Sequence, residues 1–212
     1  MITNYRKQVF SLKIKIKPCS EELKEKFTNV DKASFGVTHQ ICCIGVGNES
    51  GTQMVFNSDN EARLIENFWQ FANDWLNLGD PSKELIFATW CGNQFDVPIL
   101  YERTIANKVA ISNMRFPLMA EVNTFAANKR RGTFVDLSVI WKCNKFGSYD
   151  SLYNVATACD LFDTDEQRES LKNYDFLNFY SDTVTGGDAE KEAMKNLDTQ
   201  LKIIYKLSEL LI

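Results

Sequence analysis

Histidine, proline and long apolar runs are scarce in this sequence of 212 residues. A single histidine, His39, and six cysteines without a Cys-x-x-Cys pair give neither a zinc-finger spacing nor the framework of a secreted disulfide-rich domain. No apolar run reaches the roughly 18 residues of a membrane span. The basic segment from Met1 to Lys17 lacks the apolar stretch of a signal peptide, so we expect a cytoplasmic protein with no membrane partner.

The overall composition is that of one globular domain. Hydrophobic residues make up 44% of the chain and charged residues 25%. A chain of this length buries about 70% of the surface that it exposes when unfolded, so we expect a single domain over residues 1–212. The formal net charge of −4 excludes a purely electrostatic nucleic-acid coat protein. It does not exclude a nuclease, because a nuclease site is itself acidic.

The hydrophobic pattern predicts a mixed α/β fold. Residues 9–16 alternate apolar and polar side chains, and with residues 40–47 and 52–57 they predict an antiparallel meander. A helix follows the cap residues Ser58 and Asp59 and ends before Gly79. The other predicted elements are a buried strand at 85–90, a helix from 97, a short strand at 134–137 and helices at 151–159 and 189–211. We interpret the acidic stretch 162–187 as a surface excursion.

The segment 85–100, LIFATWCGNQFDVPIL, carries a family resemblance. It resembles the second acidic motif of the DEDD-type 3′–5′ exonucleases, in particular the proofreading exonucleases of family B DNA polymerases and their stand-alone relatives. Cys91 stands where that family has asparagine. The matching residues are Trp90, Gly92, Phe95, Asp96, Pro98 and Leu100.

The resemblance implies a ribonuclease H-like fold, in which three antiparallel strands precede parallel strands and helices flank the sheet. It also implies hydrolysis of phosphodiester bonds with two Mg²⁺ or Mn²⁺ ions held by carboxylates. Asp96, and Asp198 on the last helix, are the catalytic residues and metal ligands that this resemblance implies.

Two departures from the family pattern argue against ordinary catalysis. The first acidic motif is Asp-x-Glu on the first strand, and here Ser11 and Lys13 stand at those positions. In the third motif, the Tyr or His that precedes the last Asp is replaced by Met194 or Ala193. A lysine ammonium in the site repels Mg²⁺. We therefore expect a Mg²⁺ or Mn²⁺ cofactor only if the chain is an active exonuclease.

Purely structural roles also explain several of these acidic residues. Asp59 and Glu61 form an Asp-x-Glu pair, but at a helix start they are explained as a cap and a first-turn acid. Asp96 can cap the helix that follows it, and Asp198 can be a solvated residue of an amphipathic helix.

Basic residues provide candidate contacts for nucleic acid, and three functions remain open. Lys13, Arg103 and the loop of Lys129, Arg130 and Arg131 are the candidate phosphate contacts, although such a loop is often only solvated. The first hypothesis is a catalytically degenerate exonuclease-like domain that binds single-stranded DNA or RNA ends. The alternatives are an active 3′–5′ exonuclease and a protein-interaction scaffold that reuses the fold.

Overall fold

A five-stranded sheet forms the centre of the structure. The computed structural model describes residues 7–19, 38–77, 84–110, 132–142, 150–173 and 187–212. The strands lie in the order β3-β2-β1-β4-β5, so β1 is central. Their bounds are β1 Lys7–Pro18, β2 His39–Asn48, β3 Gly51–Asn57, β4 Glu84–Thr89 and β5 Gly132–Asp136.

The pairing of the strands confirms the predicted mixed sheet. β1 pairs antiparallel with β2, and β2 pairs antiparallel with β3, which is the predicted meander. β4 lies parallel to β1 and to β5. Ser11 of β1 is opposite Gly47 on one side and Ala88 on the other, so both edges of β1 are paired there.

Six helices flank the sheet within the described ranges. They are α1 Glu61–Asn77, α2 Asp96–Ala106, α3 Leu137–Trp141, α4 Leu152–Ala158, α5 Asp165–Asn173 and α6 Gly187–Leu211. Within the stretch 162–187, which we interpret as a surface excursion, residues 165–173 form a helix, α5, that the sequence did not predict. That helix carries one large apolar residue, Leu171, so its sequence shows almost no apolar period. Among the described helices, none is long and apolar enough to cross a membrane.

One face of the sheet packs against α1 and α2. The even-numbered residues of β1, from Phe10 to Ile16, are buried there together with apolar residues of both helices. Phe10 makes edge-on contacts with Phe71 and Trp75, at centroid distances of 5.6 and 5.2 Å. Each fully buried side chain of this size stabilises the fold by about 1.5–3 kcal/mol, so this face supplies much of the hydrophobic stability.

The opposite face packs against α6, with α3 to α5 beside it. Gly47 lets α6 approach β2 closely, because a Cβ at this position would lie 2.8 Å from Cβ of Leu201 and 2.8 Å from Oγ of Ser11. The odd-numbered residues of β1 face this second layer, which therefore covers a row of polar side chains.

Glu61 joins three elements on the first face. Its Oε1 accepts hydrogen bonds from the backbone N–H of Ile41, at 2.6 Å, and from Nε of Arg103, at 2.9 Å. Its Oε2 accepts from Arg103 and from Nδ2 of Asn107. Glu61 and Arg103 are 9% and 7% exposed, so this carboxylate locks α1 and α2 to β2.

Breaking this buried pair is expected to destabilise the protein. Arg103→Met leaves the Glu61 carboxylate buried without its cation, so we expect a loss of about 3–5 kcal/mol in the free energy of unfolding, measured with urea. Lys191→Met removes an exposed pair with Asp188 and is the control, for which we expect no measurable change. Equal stability of the two variants would contradict the assignment.

Candidate functional site

Three polar residues of β1 lie under α6. Ser11 and Lys15 are fully buried, and the side chain of Lys13 is 14% exposed. They share one face because successive side chains of a strand point to opposite sides of the sheet. Ser11 Oγ has no hydrogen-bond partner within the described part of the chain. Buried polar groups normally have partners, so the two lysines must be neutralised or hydrogen-bonded here.

Asp96 neutralises Lys13. It is the first residue of α2 and is fully buried. Its Oδ2 accepts from Nζ of Lys13 at 3.0 Å, and its Oδ1 accepts from the backbone N–H of Ile14 at 2.9 Å. The helix-cap interpretation was wrong, since the N-cap is Phe95 and no side chain caps α2. The carboxylate instead reaches across to the central strand.

Phe95 completes the surroundings of this ion pair. The ammonium of Lys13 lies 5.6 Å from the centroid of its ring, which is within cation–π range. Lys13 is therefore held by a carboxylate and an aromatic ring while part of its side chain remains exposed.

The turn before α2 positions Asp96. Cys91 has a left-handed backbone, with φ of 57°. The exonuclease motif that the sequence resembles has asparagine at this position, a residue that tolerates this conformation well. Gly92 is required because a Cβ would lie 1.9 Å from Oγ1 of Thr89. Asp136, at the end of β5, accepts hydrogen bonds from the backbone N–H groups of Cys91 and Asn93, at 3.1 and 2.9 Å. The Asp136 carboxylate is thus used to hold the turn.

Two amides of α6 meet the row of β1. Lys15 Nζ donates to Oε1 of Gln200 at 3.3 Å, and Gln200 Nε2 donates to Oδ1 of Asn196 at 2.6 Å. Asn196 Nδ2 donates to the backbone carbonyl of Ser170 at 2.9 Å. This chain of hydrogen bonds connects β1, α6 and α5, and it presents uncharged side chains to Lys15.

Asp198 lies elsewhere. Its Oδ1 accepts from the backbone N–H and from Oγ1 of Thr52 on β3, at 2.8 and 2.7 Å, and its Oδ2 pairs with Lys202 at 3.0 Å. Burial opposes ionisation, but the hydrogen bonds from Thr52 and Lys202 outweigh it and lower the pKa of Asp198. β3 is two strands from β1, about 10 Å away, so the structure does not bring Asp198 to Asp96.

The residues at this site do not fit a pair of divalent ions. Within the described ranges, no three acidic, histidine or cysteine side chains converge as a metal site would require. Asp96 is paired with an ammonium 3.0 Å away, which repels a second cation. Mg²⁺ is usually held by several oxygen ligands, with carboxylates among them. Here a hydroxyl, that of Ser11, and an amide, that of Gln200, lie beside lysines where further carboxylates would be needed.

A cleft of about 180 Å³ opens beside Lys13. It is lined by Lys13, Trp90, Leu152, Leu171, Gln200 and Ile204. Its chemistry is one cation, one amide, one indole and three aliphatic side chains. Complete ligand pockets usually measure about 300–1,000 Å³, so this cleft is smaller than a site that encloses a whole ligand.

Lys15 has an unusual electrostatic environment. Burial, and after it the positive charge of Lys13, lower the pKa of Lys15 to about 7, although the charge of Asp96 acts in the opposite direction. Lys15 therefore changes its charge near neutral pH, where ordinary lysines stay protonated.

The structure brings together only part of the predicted site. Lys13 donates a hydrogen bond to Asp96, as expected for residues of one site. The guanidinium of Arg103 donates to Glu61 and has a structural role. Asp198 contacts β3 instead. The basic loop of residues 129–131 lies outside the described residues.

Sequence reasoning missed Lys15, Gln200 and Asn196. Lys15 continues the period-two pattern of Ser11 and Lys13, so the strand pattern contained the signal for it. The two amides are four residues apart on a helix and therefore share a face. They were missed because the resemblance implies an acid in this helix, and Asp198 is the acid that lies between them.

Comparison with solved structures shows the fold. The family B DNA polymerase from the hyperthermophilic archaeon Pyrobaculum calidifontis matches with a TM-score of 0.61 and 16% sequence identity, over 96% of this chain. The match covers 24% of the polymerase chain, so this chain spans about a quarter of the polymerase's length. Comparisons with protein-family models and with curated protein sequences returned no match. The predicted α/β fold, a ribonuclease H-like mixed sheet flanked by helices, is confirmed.

Lys15 makes a testable contribution to the pH dependence of stability. Its pKa is about 7 in the folded protein and 10.5 ordinarily, so above pH 7 the unfolded chain binds the extra proton. Stability must then rise with pH, with a slope that approaches about 1.4 kcal/mol per pH unit. We expect urea unfolding between about pH 6 and 8.5 to show this rise, and Lys15→Met to lack it and to be more stable than the wild type at the acidic end.

The upper pH limit of this experiment avoids ionisation of the cysteine thiols. Burial raises the pKa of the Cys42 and Cys43 thiols above the ordinary 9.0, so above that pH they oppose the effect of Lys15. Parallel stability curves for the wild type and Lys15→Met below that limit would show that Lys15 is not a buried titrating group.

Proposed function

We propose that this chain is an exonuclease-like domain that binds single-stranded nucleic-acid ends and does not cleave them efficiently. The observation that carries the proposal is the ion pair between Lys13 and Asp96, with Nζ 3.0 Å from Oδ2. In the family that the sequence resembles, the position of Lys13 holds a metal-binding glutamate and that of Ser11 an aspartate. Here a built-in cation takes the place beside Asp96 that a metal ion would need.

The third acidic motif supports the same proposal. Asn196 and Gln200 are the residues of α6 in the hydrogen-bond chain to Lys15. Their spacing of four residues equals the spacing of Tyr and Asp in the family motif. We therefore place Gln200, rather than Asp198, at the position of the last catalytic acid. On this alignment, Asp96 alone remains of the four carboxylates.

The cleft supports a role in binding. Lys13 is partly exposed at its edge and can pair with a phosphate in place of a metal. Leu152, Leu171 and the exposed edge of the otherwise buried Trp90 provide apolar contact for a base. Lys129, Arg130 and Arg131 are proposed to contact further phosphates along the strand.

Binding and cleavage are best measured on the same samples. We expect 5′-labelled single-stranded DNA and RNA to bind with an affinity that falls steeply with salt, and to remain intact in Mg²⁺ and in Mn²⁺. Lys13→Met should weaken binding at least several-fold because it removes a phosphate contact, whereas Lys191→Met, at an exposed lysine of α6, should not. Lys129→Glu with Arg130→Glu should weaken binding for all sequences alike. Fluorescence anisotropy and gel electrophoresis provide the two readouts.

Other outcomes favour the alternative functions. A ladder that shortens from the 3′ end and disappears in Asp96→Asn would establish an active exonuclease and refute the proposal. Absence of both binding and cleavage would favour the protein-interaction scaffold.

The alignment itself can be tested by reconstruction. In Ser11→Asp/Lys13→Glu/Gln200→Asp, three carboxylates should converge with Asp96 and repel one another, so Mn²⁺ should raise the melting temperature of this variant but not of the wild type. Addition of Asp198→Asn is the control, and it should leave the metal response intact. A response that depends on Asp198 would place the third acid there and contradict the alignment.

A further inference from the structure

Lys15 is separated from the cleft by a single side chain. Gln200 lines the cleft and accepts a hydrogen bond from Nζ of Lys15. Lys13, which also lines the cleft, is two residues away on the same face of β1, a distance of about 7 Å along the strand. An anion beside Lys13 therefore lies close enough to act on the charge of Lys15, whose own side chain is fully buried.

The described groups nearest Lys15 are one cation, one carboxylate that is already paired, and side chains that are neutral at physiological pH. On β1, Lys13 repels it, and at the start of α2 the carboxylate of Asp96 attracts it but is already paired with Lys13. On β2, burial raises the pKa of Cys42 to about 11 and of Cys43 to about 12, so both thiols are neutral at physiological pH. From α6, Lys15 meets the uncharged amide of Gln200.

We infer that Lys15 is a proton-linked regulator of this site, which takes up a proton when a nucleic-acid phosphate engages Lys13 and thereby makes binding tighter as pH falls. The inference rests on the proposed function, since it concerns the same cleft. Two changes favour protonation of Lys15. The phosphate adds a negative charge near it. In addition, when Lys13 turns toward the phosphate, the carboxylate of Asp96 is less fully neutralised and attracts Lys15 more strongly.

The size of the effect follows from the electrostatics. The pKa of Lys15 is about 7 in the free protein, and a unit charge about 7–10 Å away, the strand spacing plus the reach of a contact to Lys13, shifts it upward by about one to two units in an effective dielectric near 20. By linkage, binding then strengthens by roughly tenfold between about pH 8.5 and 6.5.

The test measures the affinity of a hydroxyl-ended oligothymidylate against pH at constant ionic strength. This probe carries no terminal phosphate, whose second pKa of about 6 would add its own pH dependence. We expect the roughly tenfold change in the wild type and a flat profile in Lys15→Met. Lys17→Met, on the same strand, and His39→Gln, which removes the only histidine, are the controls that should keep the change.

A second measurement needs no variant. Calorimetric titration of the wild type at about pH 7.5, in buffers of different ionisation enthalpy, should show proton uptake on binding. Binding without proton uptake, or a pH profile that Lys15→Met leaves unchanged, would overturn the inference and leave the proposed function standing. Absence of binding at every pH would overturn both.

Discussion

The alternation of side chains along β1 is the constraint from which the site follows. This strand is central, so both of its faces are covered, and its even-numbered residues form the hydrophobic core with α1 and α2. Its odd-numbered residues then have to lie under α6, and three of them are Ser11, Lys13 and Lys15. A helix that covers two lysines must provide or leave room for their partners, and this requirement determines which residues of α6 and α2 face the strand.

The two buried lysines of β1 have partners of different charge. Lys13 has a carboxylate at 3.0 Å, whereas Lys15 has the amide of Gln200 at 3.3 Å. A buried ion pair is tolerated because attraction offsets the loss of hydration, whereas a neutral amide offsets less of that loss than a carboxylate does. Burial therefore lowers the pKa of Lys15, and the repulsion by Lys13 lowers it further. On the inference drawn above, Lys15 is therefore the residue that responds to a new charge in the cleft.

The sequence predicted most of the fold because its strands and long helices have strong apolar periods. The meander, α1 and α6 were found in this way, and α5 was missed because Leu171 alone cannot define a period. The site was predicted only in part. Asp96 lies in a motif of local sequence, but the neighbours of Lys15 come from α6, which is far along the chain. Asp198 was the nearest acid to the expected motif position, yet the rotation of α6 turns it toward Thr52 and brings Gln200 to β1 instead.

On the proposed alignment, the exchange of carboxylates for lysines and amides also changes what the fold requires for stability. Four carboxylates in one cleft repel one another, and such a site depends on bound cations to relieve the repulsion. In this chain, Lys13 neutralises Asp96 directly, and the hydrogen bonds from Lys15 through Gln200 to Asn196 satisfy the polar groups beside it. These contacts come from the chain's own side chains, so on the proposed function the cleft needs no metal ion to relieve repulsion, and an anionic strand is a ligand whose charge complements Lys13 and Lys15.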